Sequence, residues 1–151
     1  MQIQVGIISV SDRATQSIYD DAGGPALKED AAGYGWEIAA EAVVPDEVRD
    51  IQRALREQVN KGCHMILTTG GTGVAPRDVT PEAVREMAVR ESPGFGAAMR
   101  TASVKITPNA ILPRNPAAVT DRALEPSHLR FSPNPRPAPT NPTVSAAVDH
   151  A

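Results

Sequence analysis

The sequence predicts a layered α/β fold with a largely parallel sheet, confined to residues 1–112. Three observations predict it. Apolar strand-like runs alternate with helix-like segments. The first run is apolar almost throughout, as suits a strand covered on both faces. Changes of element coincide with glycines, prolines or capping residues.

The first strand runs from Ile3 to Val10. A polar loop, Ser11 to Gly24, leads to a helix beginning near Pro25, whose fixed φ suits the first helical position, and ending at Gly33 and Gly35. A second strand runs from Trp36 to Val44 and stops at Pro45. Asp46 then reads as the cap of a helix whose apolar residues Val48, Ile51, Leu55 and Val59 are spaced by 3, 4 and 4. Gly62 ends that helix, and Met65 to Thr68 is the third strand. Thr80 and Pro81 open a helix through Val89, with threonine as cap, and Pro93 or Gly94 opens another to about Val104.

Length and charge narrow the function classes. A chain of 151 residues suits one domain. A net charge of −3 argues against nucleic acid as a main partner, although Arg13, Arg77, Arg100, Lys105 and Arg114 can supply local charge to an anion. Cys63 is the only cysteine, so no disulfide forms within the chain, and it reads as a packing residue. The first apolar run has no basic lead and is too short for a signal peptide or a membrane span, so the cytoplasm is expected.

The most informative stretch is Leu67-Thr68-Thr69-Gly70-Gly71-Thr72-Gly73-Val74-Ala75-Pro76-Arg77-Asp78-Val79-Thr80-Pro81. Glycines and threonine hydroxyls just past a strand let backbone N–H groups approach an anion with no Cβ in the way. No lysine follows the glycines, which excludes a P-loop, and Pro76 breaks the dinucleotide fingerprint. A plain chain-reversing turn is the bland alternative. A carboxylate beside a phosphate needs a cation between them, and Asp78 therefore suggests magnesium.

In open α/β sheets, ligands gather beyond the carboxyl ends of the strands. An aspartate follows each expected strand here: Asp12, Asp46 and, past the glycine loop, Asp78. Each also has a purely structural reading. Asp12 suits a turn, Asp46 a helix cap, and Asp78 the favourable charge at a helix start.

From Pro113 to Ala151 the composition changes. Eight of the fourteen prolines fall there, Pro133-Asn134-Pro135-Arg136-Pro137-Ala138-Pro139 among them, and no periodicity survives. This stretch reads as a disordered tail. His128, His150 and His64 show no ligand-like spacing.

Several motifs in succession carry a resemblance. They are Val10-Ser11-Asp12-Arg13, Tyr19-Asp20-Asp21 with Gly24-Pro25-Ala26-Leu27, and Val44-Pro45-Asp46-Glu47. After them come Leu67 to Gly73, Arg77-Asp78-Val79-Thr80-Pro81, Pro93-Gly94-Phe95-Gly96 and Ala110-Ile111-Leu112. Together, over residues 1 to about 114, they resemble the molybdopterin adenylyltransferases, the Mog-type (MoaB/Mog) enzymes of molybdenum cofactor synthesis. The resemblance implies a three-layer α/β/α sandwich, a homotrimer, and magnesium-assisted joining of molybdopterin to ATP with release of pyrophosphate. It implies catalytic and metal-holding roles for Asp46 and Asp78. It places Thr69, Gly70, Gly71, Thr72 and Gly73 around the phosphates, and Asp12, Glu91 and Arg114 along the pocket. A molybdenum-inserting partner protein is a further expectation. The attacking phosphate, with a second pKa of about 6, is already ionised and needs no general base.

The resemblance stops near Arg114. Family members carry serine where this chain has Pro113, and then a strand, an Asn-Leu-Pro-Gly-type loop and a closing helix that are not found here. The sequence therefore suggests a domain truncated at its C-terminal end, by a shifted reading frame or a rearranged gene end, with an exposed sheet edge. Two functions stay open: an adenylyltransferase, and an inactive molybdopterin- or phosphate-binding protein of the same fold.

Overall fold

Successive residues of a strand face opposite sides of its sheet, and the first apolar run satisfies both sides. In the computed structural model, which describes residues 2–16, 23–120 and 144–149, that run is strand β1 (Gln4–Val10). Val5 and Ile7 pack on one face with Leu27 and Leu67, while Ile8 and Val10 pack on the other with Val44, Ile51, Leu55 and Val84. One helical turn comes next, α1 (Asp12–Thr15), where a loop was expected; the Ser11 hydroxyl accepts from Ala14 N–H at 3.1 Å and caps it. Then come α2 (Gly23–Gly33), β2 (Glu37–Val44), α3 (Val48–Asn60), β3 (Met65–Thr69) and α4 (Thr80–Met87).

β1 lies between β2 and β3 and is parallel to both. Leu27 of α2 joins the first apolar face, whereas α3 and α4 supply Ile51, Leu55, Val59, Ala83 and Val84 to the second. The result is the α/β/α sandwich with a largely parallel sheet. Cys63 is fully buried in the second core, as a packing residue should be.

Two helix starts differ from expectation. The residue preceding α3 is Glu47, not Asp46, and the one preceding α4 is Val79, not Thr80; neither end has a side-chain cap. The expected caps are engaged elsewhere: the Asp46 carboxylate accepts from Asp12 N–H, and the Thr80 hydroxyl donates to the Gly70 carbonyl.

The sheet also continues past Leu112. After β4 (Arg90–Glu91), α5 (Pro93–Val104) and a 3-10 turn (Pro108–Ile111) come β5 (Ala117–Thr120) and β6 (Val144–Asp149). The strand order is β2-β1-β3-β6-β5-β4, with β6 antiparallel to β3 and parallel to β5, and β4 antiparallel to β5. Two strands thus come from the stretch read as a tail, and β6 pairs with β3 where an exposed sheet edge was expected. Prolines dominate that stretch and conceal two short runs of small and β-branched residues, Ala117-Ala118-Val119-Thr120 and Val144-Ser145-Ala146-Ala147-Val148. Pro116 stands just before β5, where its missing N–H breaks no ladder bond. The stretches Tyr19 to Asp21 and Pro133 to Pro139, together with His128 and His150, lie outside the described residues.

Candidate functional site

Because β2, β1 and β3 are adjacent and parallel, the segments leaving their carboxyl ends lie on one rim. Asp12 and Asp46 meet there in a reciprocal pair. Asp12 N–H donates to Asp46 Oδ2 at 2.9 Å, and Asp46 N–H donates to Asp12 Oδ1 at 3.0 Å. Arg77 completes the group: its Nε donates to Asp12 Oδ2 at 2.7 Å, and its Nη2 to Asp12 Oδ1 at 3.1 Å and to Glu47 Oε1 at 3.0 Å.

The glycine loop turns against these carboxylates. Gly70 and Gly71 have φ of 92° and 60°, in the left-handed region that side chains disfavour. A Cβ on Gly70 would strike the Val10 carbonyl oxygen. A Cβ on Gly71 would stand 2.9 Å from Asp46 Oδ1, and one on Gly73 would stand 2.6 Å from Asp78 Oδ2. The loop main chain is therefore packed directly against both candidate carboxylates. Thr80 closes it, donating from its hydroxyl to the Gly70 carbonyl at 2.9 Å and from its N–H to the Gly71 carbonyl at 3.0 Å.

Charge follows geometry. The Arg77 hydrogen bonds hold the Asp12 carboxyl below its usual range, helped by Asp46 N–H. Asp46 is pushed the other way, by burial and by the neighbouring Asp12 and Asp78 charges, against the opposing pull of Asp12 N–H and Arg77. Each carboxylate of interest has one oxygen held by a backbone N–H: Asp46 Oδ2 by Asp12, and Asp78 Oδ2 by Ala75 at 2.9 Å. Among the described residues, neither Oδ1 atom accepts a hydrogen bond. Among the described residues no group of three or more His, Cys, Asp or Glu is gathered for a metal. Two carboxylate oxygens beside a main-chain cradle nonetheless suit magnesium, which commonly takes one or two carboxylates and fills its shell with water and phosphate oxygens.

The remaining expected site residues divide. Thr72 is 1% exposed, and its hydroxyl has no hydrogen-bond partner among the described residues. Thr69 ends β3, buried, with its side chain against Gly23. Arg114 clamps the loop. Its N–H donates to the Thr72 carbonyl at 2.8 Å, its Nε to the Gly73 carbonyl at 2.8 Å and its Nη2 to the Asp78 carbonyl at 2.6 Å, while Nη1 pairs with Glu82. Burial alone would raise Glu82; the Arg114 hydrogen bond and charge bring it below its usual value instead. Glu91 lies on β4, at the far edge of the sheet from β2, with Arg85 as its ion partner at 3.7 Å. Sequence reasoning treated Arg77 only as general positive charge and Thr80 only as a cap. Their positions beside Asp78 were the available signal. An open cleft of about 580 Å³ adjoins the group, lined by Asp46, Glu47, Val48, Arg77 and Val79 among others.

The chain is similar to known proteins in sequence and in fold. Residues 6–128 match the family described as "Probable molybdopterin binding domain". The molybdopterin adenylyltransferase of Escherichia coli K12 is 44% identical over 126 residues, covering 81% of this chain and 64% of that protein. The Helicobacter pylori J99 protein of the same name is 39% identical over 126 residues, covering 81% and 71%. The crystal structure of the molybdopterin biosynthesis enzyme MoaB from Thermus thermophilus superposes with a TM-score of 0.76 at 36% identity, covering 99% of this chain and 82% of that one. The chain thus spans less than two thirds of the E. coli relative's length. In sequence and in fold, it belongs to the molybdopterin-binding domain family of molybdenum cofactor biosynthesis.

Proposed function

We propose that the chain is a molybdopterin adenylyltransferase, transferring AMP from ATP to the terminal phosphate of molybdopterin with release of pyrophosphate. The observation that carries this reading is the packing of the Gly71 and Gly73 main chain against Asp46 and Asp78, each with one carboxylate oxygen that accepts no hydrogen bond among the described residues. Glycine N–H groups hold phosphate oxygens, and the buried Thr72 hydroxyl, unpartnered among the described residues, offers one more donor in the same loop. Asp46 and Asp78 would hold magnesium, which when bound would neutralise phosphate charge that otherwise keeps two anions apart. Burial and neighbouring negative charge make Asp46 costly to ionise alone, which favours a cation there. The test is pyrophosphate release on mixing the full chain with molybdopterin, ATP and magnesium. Its absence, with chelator and no-pterin controls unchanged, overturns the reading.

A second reading is supported by Arg114. Its Nε, Nη2 and Nη1 are turned to Gly73, Asp78 and Glu82 within the protein. A protein of this fold that binds molybdopterin phosphate without turnover would retain the loop, and it would bind the pterin in that assay while releasing no pyrophosphate. With the first reading go a homotrimer, a molybdenum-inserting partner and a cytoplasmic location. Exposed Phe95, Ile106, Ile111 and Leu112 support an oligomer, to be checked by sedimentation. Among the described residues no helix is long and apolar enough to cross a membrane.

A further inference from the structure

Arg77 stands next to Asp78 in the chain, yet its guanidinium reaches back to the ends of β1 and β2. It engages both oxygens of Asp12, Glu47 Oε1 and, at 3.4 Å, the Asp46 carbonyl. Asp12 in turn exchanges hydrogen bonds with Asp46. Both Asp12 oxygens are therefore spent, Oδ1 on Asp46 N–H and Arg77, Oδ2 on Arg77. The Arg77 side chain is 59% exposed, and exposed ion pairs contribute little to stability. A planar fork making four contacts across three chain segments instead fixes relative position.

We propose that Arg77, acting through Asp12, is a positioning residue that sets the separation of the Asp46 and Asp78 carboxylates, and that Asp12 holds Asp46 without contacting substrate. This rests on the adenylyltransferase reading for what the spacing serves, but the clasp can be tested without it. Arg77 ties the segment carrying Asp78 to the strand ends carrying Asp46. Lysine at this position would keep the charge and lose the fork.

The experiment uses the full chain and the variants Arg77→Lys and Arg77→Gln, with thermal melting to confirm that each folds. Amide hydrogen exchange without ligand reads the clasp directly. Asp12 and Asp46 N–H are expected to exchange about tenfold faster in both variants, the scale of loosening a hydrogen bond to a charged group, while amides of β1 and β3 do not change. Pyrophosphate release then reads the consequence. The magnesium concentration for half-maximal rate is expected to rise about tenfold or more, as when an outer partner of a metal ligand is lost, with KM for ATP little changed. Unchanged exchange at Asp12 and Asp46 overturns the proposal. So does a loss confined to KM for ATP, which would mean that Arg77 touches the nucleotide. If wild-type protein releases no pyrophosphate, the functional reading fails while the exchange result still decides the clasp.

Discussion

The two halves of the sheet are built differently. The β2-β1-β3 half is parallel, its central strand β1 is covered on both faces, and it ends in carboxylates, glycines and an arginine whose hydrogen bonds interlock. The β6-β5-β4 half is mixed, with β6 antiparallel to β3 and β4 antiparallel to β5, and its β5 and β4 are short. The helical segment between β4 and β5 leaves Phe95, Ile106, Ile111 and Leu112 exposed. The candidate site lies in the first half because adjacent parallel strands deliver their ends to one rim. The second half reaches the site through Arg114, which pins the loop from behind. The first half thus carries the candidate site groups, and the second braces the loop among them.

The most severe way to break this division is to end the chain at Leu112, which removes β5, β6 and Arg114. Loss of a cooperative melt by circular dichroism is expected; an unaltered melt would show the first half to be self-sufficient. Next in size, Asp78→Asn should lower turnover about 10²-fold, the scale of one preorganised electrostatic element, measured by pyrophosphate release. Gly70→Ala should destabilise by about 3 kcal/mol in a denaturant titration, since its Cβ meets the Val10 carbonyl at a positive φ. The contrasting Gly94→Ala in α5 meets nothing within 4 Å and should be neutral or stabilise by about 0.5 kcal/mol. A similar cost at both glycines would erase the contrast between the halves. Arg114→Ala should cost about 1–2 kcal/mol, mostly through carbonyls and Glu82 left without their donor.

The smallest effect concerns pH. The folded-state pKa of Asp46 lies above its unfolded value, so its contribution to stability is greatest when protonated and is lost as pH rises through the raised pKa. Asp46→Asn should therefore melt slightly higher than wild type at pH 7, with the difference vanishing below about pH 4, near the unfolded pKa, while activity falls. Glu82 has the opposite sign: its depressed pKa stabilises above the unfolded value, and that contribution is lost as pH falls through the folded one. Melts of Glu82→Gln across the acid range should show its deficit shrinking toward low pH.

Much of the first half was legible in the sequence. The nearly continuous apolar run of β1, the spacing of Val48, Ile51, Leu55 and Val59, and the glycines at Gly35 and Gly62 are local signals, and the elements follow them. The gathering of Asp12, Asp46 and the loop followed from parallel topology alone. What Asp46 and Thr80 bind was not legible. A cap is judged from neighbours in the chain, whereas their partners, Asp12 and Gly70, are 34 and 10 residues away. The role of Arg114 was hidden likewise, since three of its acceptors are main-chain carbonyls that no residue type announces.

The chain alone determined that strands and helices alternate, that a glycine loop follows the third strand, and that carboxylates stand past the strand ends, because periodicity, φ preference and chain direction are properties of consecutive residues. The tertiary structure decided that Asp12 and Asp46 clasp each other, that Arg114 clamps the loop, and that β6 pairs with β3. Those outcomes depend on distances between residues far apart in the chain, and such distances exist only once the layers have packed.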